Sequence, residues 1–369
     1  MKIGIDVMPL QNELTGVGNY LLRLLEELIP LRPHDTFYLY RTHTNPLLQR
    51  LAQSPRVFLR TNSLFGFSEA LWSQTTLAWM CYKDQIDLFW GATQSLPLLT
   101  AKRQKHLLTI YDFAYLLYPE TVSSMRGRYL RIFSKFFYKK ADIRTAISRG
   151  TADRLQQLFS LETQKIIPPP PPHFLQKDNV QNPASLKKLL NSYGLEEKKY
   201  FLMIGTLEPR KNICMTLQAY MRLARQKKIN PLVLVGKLGW KDKAIQKEID
   251  QLAYEIPNQV KVLGYIEETC LYDLLRGAQA YLMPSFYEGY GMPIAEARSL
   301  KTPVICSNIP EMIEAAEGDA FFLDLHNFEA NLHEALTSPL PAPKKCTYPT
   351  SLALATLLSQ QIDILSRDL

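Results

Sequence analysis

The sequence predicts an α/β protein built from two doubly wound domains that face each other across a cleft. Three observations predict it. Short apolar runs alternate with amphipathic stretches, the mark of βα units and of a largely parallel sheet with helices on both faces. The alternation halts at five consecutive prolines, Pro168 to Pro172, and then restarts. The chain has 369 residues, 46% hydrophobic and 21% charged, enough for two cores.

In the first half "KIGIDV" (2–7) reads as a buried strand and "NYLLRLLEEL" (19–28) as a helix. "FYLY" (37–40), "RVFL" (56–59), "DLFW" (87–90), "HLLTI" (106–110) and "IRTAI" (143–147) read as further strands, the last followed by a helix from Arg149 to Phe159. Five prolines continue neither a helix nor a central strand, so 168–190 reads as a linker. Beyond it "YFLMIG" (200–205), "PLVLVG" (231–236), "VKVLG" (260–264), "AYLM" (280–283) and "TPVIC" (302–306) read as strands, with helices near 213–226 and 267–277. The expected domains are 1–170 and 171–349. A last helix, 350–369, follows a proline-rich crossing that leads it back to the first domain.

Composition excludes several classes. No apolar run approaches a membrane span, and "MKIGIDV" lacks the apolar core of a signal peptide. The five cysteines are odd in number and far apart, which reads as reduced thiols in the cytoplasm and no zinc. The net charge of +8 sits entirely in residues 1–170; residues 171–369 balance to zero. A basic half suits an anionic partner such as a membrane surface or a lipid-linked phosphate, or equally a surface kept soluble by charge. Nucleic acid is disfavoured, because no groove-reading motif accompanies the charge.

Ligands of open α/β sheets bind beyond the carboxyl ends of the strands, and the chemistry-bearing motifs fall there. "GTLEPRKN" (205–212) frees the backbone at Gly205 and then sets Arg210 and Lys211 side by side before a helix near Asn212. A guanidinium fork, a compact ammonium and a helix N-terminus form a pyrophosphate site; the other reading is a solvated loop. "SFYEGYGMPIAEA" (285–297) puts Glu288 in a loop and Glu296 in the first turn of a helix in which Pro293 is an early residue. Gly289 and Gly291 let the backbone approach a ligand and adopt dihedrals that other residues resist. Two acids here suit hydrolysis or a grip on hydroxyl groups; a helix-dipole acid and a surface acid are the alternatives. "LTGVGNY" (14–20) supplies Gly16 and Gly18 but is not G-x-G-x-x-G, and no acid follows the second strand, which disfavours a nicotinamide dehydrogenase. No Asp-x-Asp and no metal-ligand spacing occurs, so no metal is expected, and any leaving diphosphate must be balanced by Arg210, Lys211 and helix dipoles.

Together these motifs resemble the retaining glycosyltransferases of family 4, whose GT-B fold has two Rossmann-like domains. The resemblance covers nearly the whole chain. "EPRKN" is similar to that family's phosphate-binding motif, and "PSFYEGYGMPIAEA" to its E-x7-E motif. "IDVMPLQNELTGVGNY" resembles the first loop of the mannosyltransferase-like branch, "YPE" (118–120) and "TAIS" (145–148) fall in family order, and "GYIEETCLYDLLRGA" (264–278) resembles the segment flanking the nucleotide base. The resemblance implies transfer of a sugar from a nucleotide-sugar donor to a glycan or lipid-linked acceptor, with retained configuration and no cofactor, in cell-envelope polysaccharide synthesis. It implies that Arg210 and Lys211 hold the diphosphate and Glu296 the ribose. It places Glu288, with the backbone of Gly289, Tyr290, Gly291 and Met292, on the donor sugar. Gly205 lies at the phosphates and Tyr265 near the base, while Gly16 and Gly18 let the first loop close on the sugar. No nucleophile stands out, which fits front-face substitution. The alternatives are a sugar-nucleotide epimerase of the same fold and a catalytically impaired nucleotide-sugar binder.

The chain departs from the family pattern at Tyr111-Asp112, where many members have His-Asp. Tyrosine, with a pKa near 10, is no base at neutrality. His106 lies roughly 16 Å away if the chain is extended. Asp112 remains a candidate for acceptor-side catalysis, or is a turn cap. "RGRYLRIFSKFFYKK" (126–140) carries six basic residues and no acid. As a helix it places Tyr129, Ile132, Phe133, Phe136 and Phe137 on one stripe. That suits peripheral contact with an anionic membrane on its inner face, or a basic helix whose aromatics pack in the core.

Overall fold

The structure, a computed structural model, describes the chain except for Glu13, 122–123, 173–182, Leu238, 240–242, Ala342, 345–347 and 368–369. Of the linker expected at 168–190, residues 173–182 lie outside the described residues, and its last part is not linker but the start of a helix, Pro183–Ser192. The chain forms two compact units, Met1–Pro172 with Pro349–Leu369, and His173–Tyr348. Both are α/β.

The first unit holds strands β1 (Lys2–Asp6), β2 (Thr36–Arg41), β3 (Val57–Thr61), β4 (Leu88–Gly91), β5 (Lys105–Ile110), β6 (Ile143–Ala146) and β7 (Lys165–Ile166). They form one parallel sheet in the order β3-β2-β1-β4-β5-β6-β7. Ile3, Ile5, Phe37, Leu39, Leu88, Phe89 and Leu107 are fully buried. These runs are apolar at successive positions because helices cover both faces of the sheet.

The helix Gly16–Leu31 buries Leu21, Leu24, Leu25 and Leu28, an i, i+3, i+4, i+7 stripe. It begins three residues earlier than its apolar pattern, so Gly16 and Gly18 belong to its first turn and not to a loop. A Cβ on Gly18 would meet the Pro9 carbonyl oxygen at 2.8 Å, so this glycine lets helix and preceding turn touch. The helix Arg149–Phe159 is capped by Ser148, whose hydroxyl accepts the Thr151 N–H at 2.9 Å. The C-terminal helix Ser351–Ser366 packs on Gly16–Leu31, where Arg32 reaches Asp363 at 2.8 Å and the Ser359 hydroxyl at 2.9 Å.

The second unit repeats the plan with β8 (Phe201–Ile204), β9 (Leu232–Val235), β10 (Val260–Val262), β11 (Ala280–Met283), β12 (Val304–Ser307) and β13 (Phe321–Leu323). The order is β10-β9-β8-β11-β12-β13, all parallel. Its core divides between the two faces of the sheet. Leu217, Tyr220 and Leu332 pack on one side; Tyr200, Leu274 and Ile294 pack on the other. In each sheet the strand order reverses at one point, between β1 and β4 and between β8 and β11. There the connections leave in opposite directions and open a crevice at the carboxyl edge. Among the described residues no helix is long and apolar enough to cross a membrane.

Candidate functional site

In the second unit the residues singled out from the sequence converge at the reversal point. β8 and β11 are neighbours, Ala280 facing Phe201. Gly205 follows β8 with φ +126°, and a Cβ there would stand 2.9 Å from the Lys211 Cε. Gly236, after β9, has φ +145°, and a Cβ on it would overlap the Gly205 carbonyl oxygen at 2.1 Å. Bare backbone at Gly205 makes room for the Lys211 side chain, and at Gly236 it lets the two strand ends approach.

The chain then forms a 3₁₀ turn, Pro209–Lys211, and reverses through Asn212 at φ +58°, a conformation asparagine tolerates better than most residues. That turn faces the loop after β11. The Phe286 N–H donates to the Arg210 carbonyl at 2.8 Å, and Arg210 Nη1 donates to the Tyr287 carbonyl at 2.7 Å.

The charged groups form one cluster. Glu288 Oε2 lies 2.7 Å from Arg210 Nη1, and Oε1 lies 2.9 Å from Lys211 Nζ. The Ser285 hydroxyl donates to the same Oε1 at 3.0 Å, and Arg210 Nη2 pairs with Glu208 at 2.5 Å. All four charged side chains are at most 15% exposed. Burial alone would raise the Glu288 pKa, but the two cations outweigh it and hold the carboxyl down at about 2. Glu288 thus pairs with both cations and neutralises charge on them, a contact that the sequence did not announce. Glu208 and Ser285 also belong to the cluster. Sequence reasoning passed over both, although each stands within three residues of a motif residue.

Glu296 is 8% exposed. It is the fifth residue of the helix Met292–Ser299, in the second turn and not the first, because the helix starts at Met292, one residue before Pro293. Burial raises the pKa of Tyr281 on β11 well above the ordinary value, and the charges of Glu288 and Glu296 add to the shift. Gly291, before Met292, has φ +103°, whereas Gly289 lies outside the left-handed region and needs no glycine for its dihedrals. Tyr290 is half-buried against the core. Tyr265 is 61% exposed, with Lys237 Nζ 5.1 Å above its ring.

In the first unit Asp112 follows β5. Its Oδ1 accepts the Ala114 N–H at 2.9 Å, the arrangement of a turn cap. Gln94 ties the segment: its Oε1 accepts the Tyr111 N–H at 2.9 Å, and its Nε2 donates to the Asp112 carbonyl at 2.8 Å. Tyr111 is 7% exposed and stands edge-on to Tyr20, and its hydroxyl donates to the Ala92 carbonyl at 2.9 Å. Burial pushes its pKa well up. The residue that replaces histidine is therefore a structural strut.

Asp6, at the end of β1, is 1% exposed. It accepts the Met8 N–H at 3.0 Å and the Thr93 hydroxyl at 3.0 Å. Burial pushes its pKa up to about 7. The folded value exceeds the ordinary one, so the folded chain binds the extra proton and this group costs stability as pH rises from about 4 to about 7. Asp6→Asn is expected to flatten that loss, by up to about 4 kcal/mol, seen as a melting temperature that varies less between pH 5 and pH 8 than in the unaltered protein. An unchanged pH dependence would refute the assignment.

A doubly wound unit with buried cations paired to a carboxylate at its reversal point is an arrangement suited to an anion. Residues 14–172 match "Glycosyltransferase Family 4" and residues 187–346 match "Glycosyl transferases group 1". The chain belongs to the family-4-like glycosyltransferases of the GT-B fold and is a hexosyltransferase. It is 29% identical over 337 residues to O-antigen chain mannosyltransferase B of Escherichia coli, covering 87% of this chain and 85% of that protein. It is 34% identical over 128 residues to the serotype-specific mannosyltransferase WbdA of Escherichia coli, but that stretch is 33% of this chain and 15% of the relative. Among solved structures it shares the fold of Anabaena Alr3699/HepE in complex with UDP and glucose. There the TM-score is 0.67 at 17% identity, with 99% of this chain and 100% of the other covered. It also shares the fold of WaaG, a lipopolysaccharide glycosyltransferase, with TM-score 0.62, 16% identity and coverage of 98% and 95%.

Proposed function

We propose that the protein transfers a hexose from a nucleotide-sugar donor to a glycan or lipid-linked acceptor, in the cytoplasm, with retained configuration and without a metal. The observation that carries this reading is the cluster of Arg210, Lys211 and Glu288 at the reversal point of the second sheet. Two cations held by one carboxylate match the charge of a diphosphate that takes the carboxylate's place. Glu288, released, turns its oxygens to the donor sugar's hydroxyls beside the N–H groups of Gly289 to Met292. Glu296 takes the ribose, and Tyr265 lies near the base. The bond from sugar to phosphate oxygen breaks as the acceptor oxygen attaches on the same face, and the acceptor's proton passes to the departing phosphate. Arg210 and Lys211 stabilise the charge that grows there, the place where fixed cations act most on a barrier. The first unit serves the acceptor, with Asp112 beside it. The mannosyltransferases among the relatives make mannose the first donor sugar to try.

A donor screen tests the reading: thermal shift and hydrolysis with GDP-, UDP-, dTDP- and ADP-sugars, followed by transfer with and without chelator and assignment of the product anomer. One donor is expected to respond, activity to survive chelation and the anomer to be retained. Glu296→Ala is expected to raise the donor KM at least tenfold while leaving the discrimination between ribo- and 2′-deoxyribonucleotides weakened. No response to any donor, or an unaltered response in Glu296→Ala, would sink the proposal.

A further inference from the structure

We propose that the outer face of the helix Ser124–Lys140, with the exposed apolar side chains beside it, is a docking surface for an anionic lipid bilayer. The aromatics expected on one stripe divide in the structure. Tyr129 and Phe137 are buried and Phe133 is half-buried, whereas Ile132 is 60% and Phe136 59% exposed. Met125, at 66%, is exposed as well. At about 100° per residue, Met125, Ile132 and Phe136 fall within about 40° of one another on the helix surface. They form a stripe some 16 Å long at 1.5 Å per residue. Arg128, Arg131, Lys135 and Lys139 are exposed along the flank of that stripe which faces away from the core.

The apolar surface continues past the helix. Met125 and Arg126 line a cavity of about 120 Å³ together with Ser68, Glu69 and Ala70. Phe67, next to Ser68, is 79% exposed, and Leu71 is exposed beyond it. At the other end Lys140 Nζ donates to the Pro97 and Leu98 carbonyls, each at 2.7 Å, which places exposed Leu99 beside the last turn. The helix carries no acid, and Glu69, at its first turns, is paired with Arg126.

Exposed apolar side chains aligned on one side of a helix mark a contact surface. The row of cations beside it selects a bilayer with anionic headgroups: long basic side chains reach the phosphates while Ile132 and Phe136 enter the acyl boundary. The charge of the whole chain agrees, since residues 1–170 carry all of the +8. The inference does not rest on the donor site, which lies in the other unit.

Cosedimentation of the full chain with phosphatidylcholine vesicles, with and without phosphatidylglycerol, tests it. The protein is expected to pellet with the anionic vesicles, several-fold less at high salt, and to stay in the supernatant with neutral ones. Arg128→Gln and Lys135→Gln are each expected to weaken binding about fivefold. The double variant Ile132→Ser, Phe136→Ser is expected to lose binding, while Tyr254→Ser, at an 88% exposed site of the second unit, keeps it. All these positions are exposed, and unchanged nucleoside-diphosphate binding and melting temperature verify that each variant folds. Equal recovery in the supernatant with and without anionic vesicles overturns the proposal. So does a sedimentation-velocity dimer that the double variant disperses, since that assigns the face to a second copy.

Discussion

Lys211→Ala is expected to lower kcat/KM for the sugar nucleotide by about 10²–10³-fold, the effect of removing one preorganised charge from a departing group. The expectation follows from how the ammonium is held. Its side chain is 14% exposed and reaches Glu288 at 2.9 Å along a path that Gly205 keeps open. A buried cation aimed at a leaving phosphate acts in a site poor in water, where charge counts for more than at the surface. Most of the loss should fall on kcat, because the diphosphate's charge grows as the bond breaks. Lys211→Arg should recover little, since the planar fork needs width where the Lys211 Cε already stands close to the Gly205 backbone. Steady-state kinetics, with a ligand-free melt to verify folding, decide it; a loss below tenfold would remove Lys211 from the chemistry.

Glu288→Gln is expected to move two observables in opposite directions. In the ligand-free protein Glu288 occupies both cations that a diphosphate needs. Its carboxyl, held at about 2, stays ionised across the physiological range, so the competition does not ease with pH. Glutamine ends that competition. The free nucleoside diphosphate should bind about five- to tenfold more tightly, equivalent to roughly 1–1.4 kcal/mol, while transfer falls at least 10²-fold for want of the sugar contact. Stability should move too. The folded pKa lies below the ordinary value, so the ionised group stabilises the fold above about pH 4.5 and loses that contribution as pH falls towards 2. The variant takes a carboxylate away from two buried cations, and it should melt lower at neutral pH and recover on adding the diphosphate. Calorimetric titration with the diphosphate decides between this account and a passive Glu288. Weaker diphosphate binding in the variant would overturn it.

The elements legible in the sequence were those with a local signature. β1, β5, β8 and β11 are apolar runs ended by a turn or a glycine, and the helix Arg149–Phe159 has a serine directly before it that caps it. β7 and β13, two and three residues long, passed unnoticed. So short a strand exists only because a neighbour supplies its hydrogen bonds, and that neighbour is distant in sequence. Asp6 carried no signal either, because an acid at a strand end looks like any other until Thr93 and the Met8 backbone close over it.

For the site, the sequence by itself determined the residue types and their order: Gly205, Arg210, Lys211, Glu288, Gly291 and Glu296, each just past a strand. Chemistry that needs cations and bare backbone beside a sheet edge constrains composition locally, and local constraints are written in spacing. Only the tertiary structure decided how those residues meet. Glu288 lies 77 positions from Lys211, and nothing in either segment says that the carboxylate closes on the cations. The same holds for Tyr111, whose hydroxyl is committed to the Ala92 carbonyl, and for the basic helix, whose aromatics were one stripe in sequence. Which of them face water depends on which neighbours cover the helix, and that is settled by packing across the sheet.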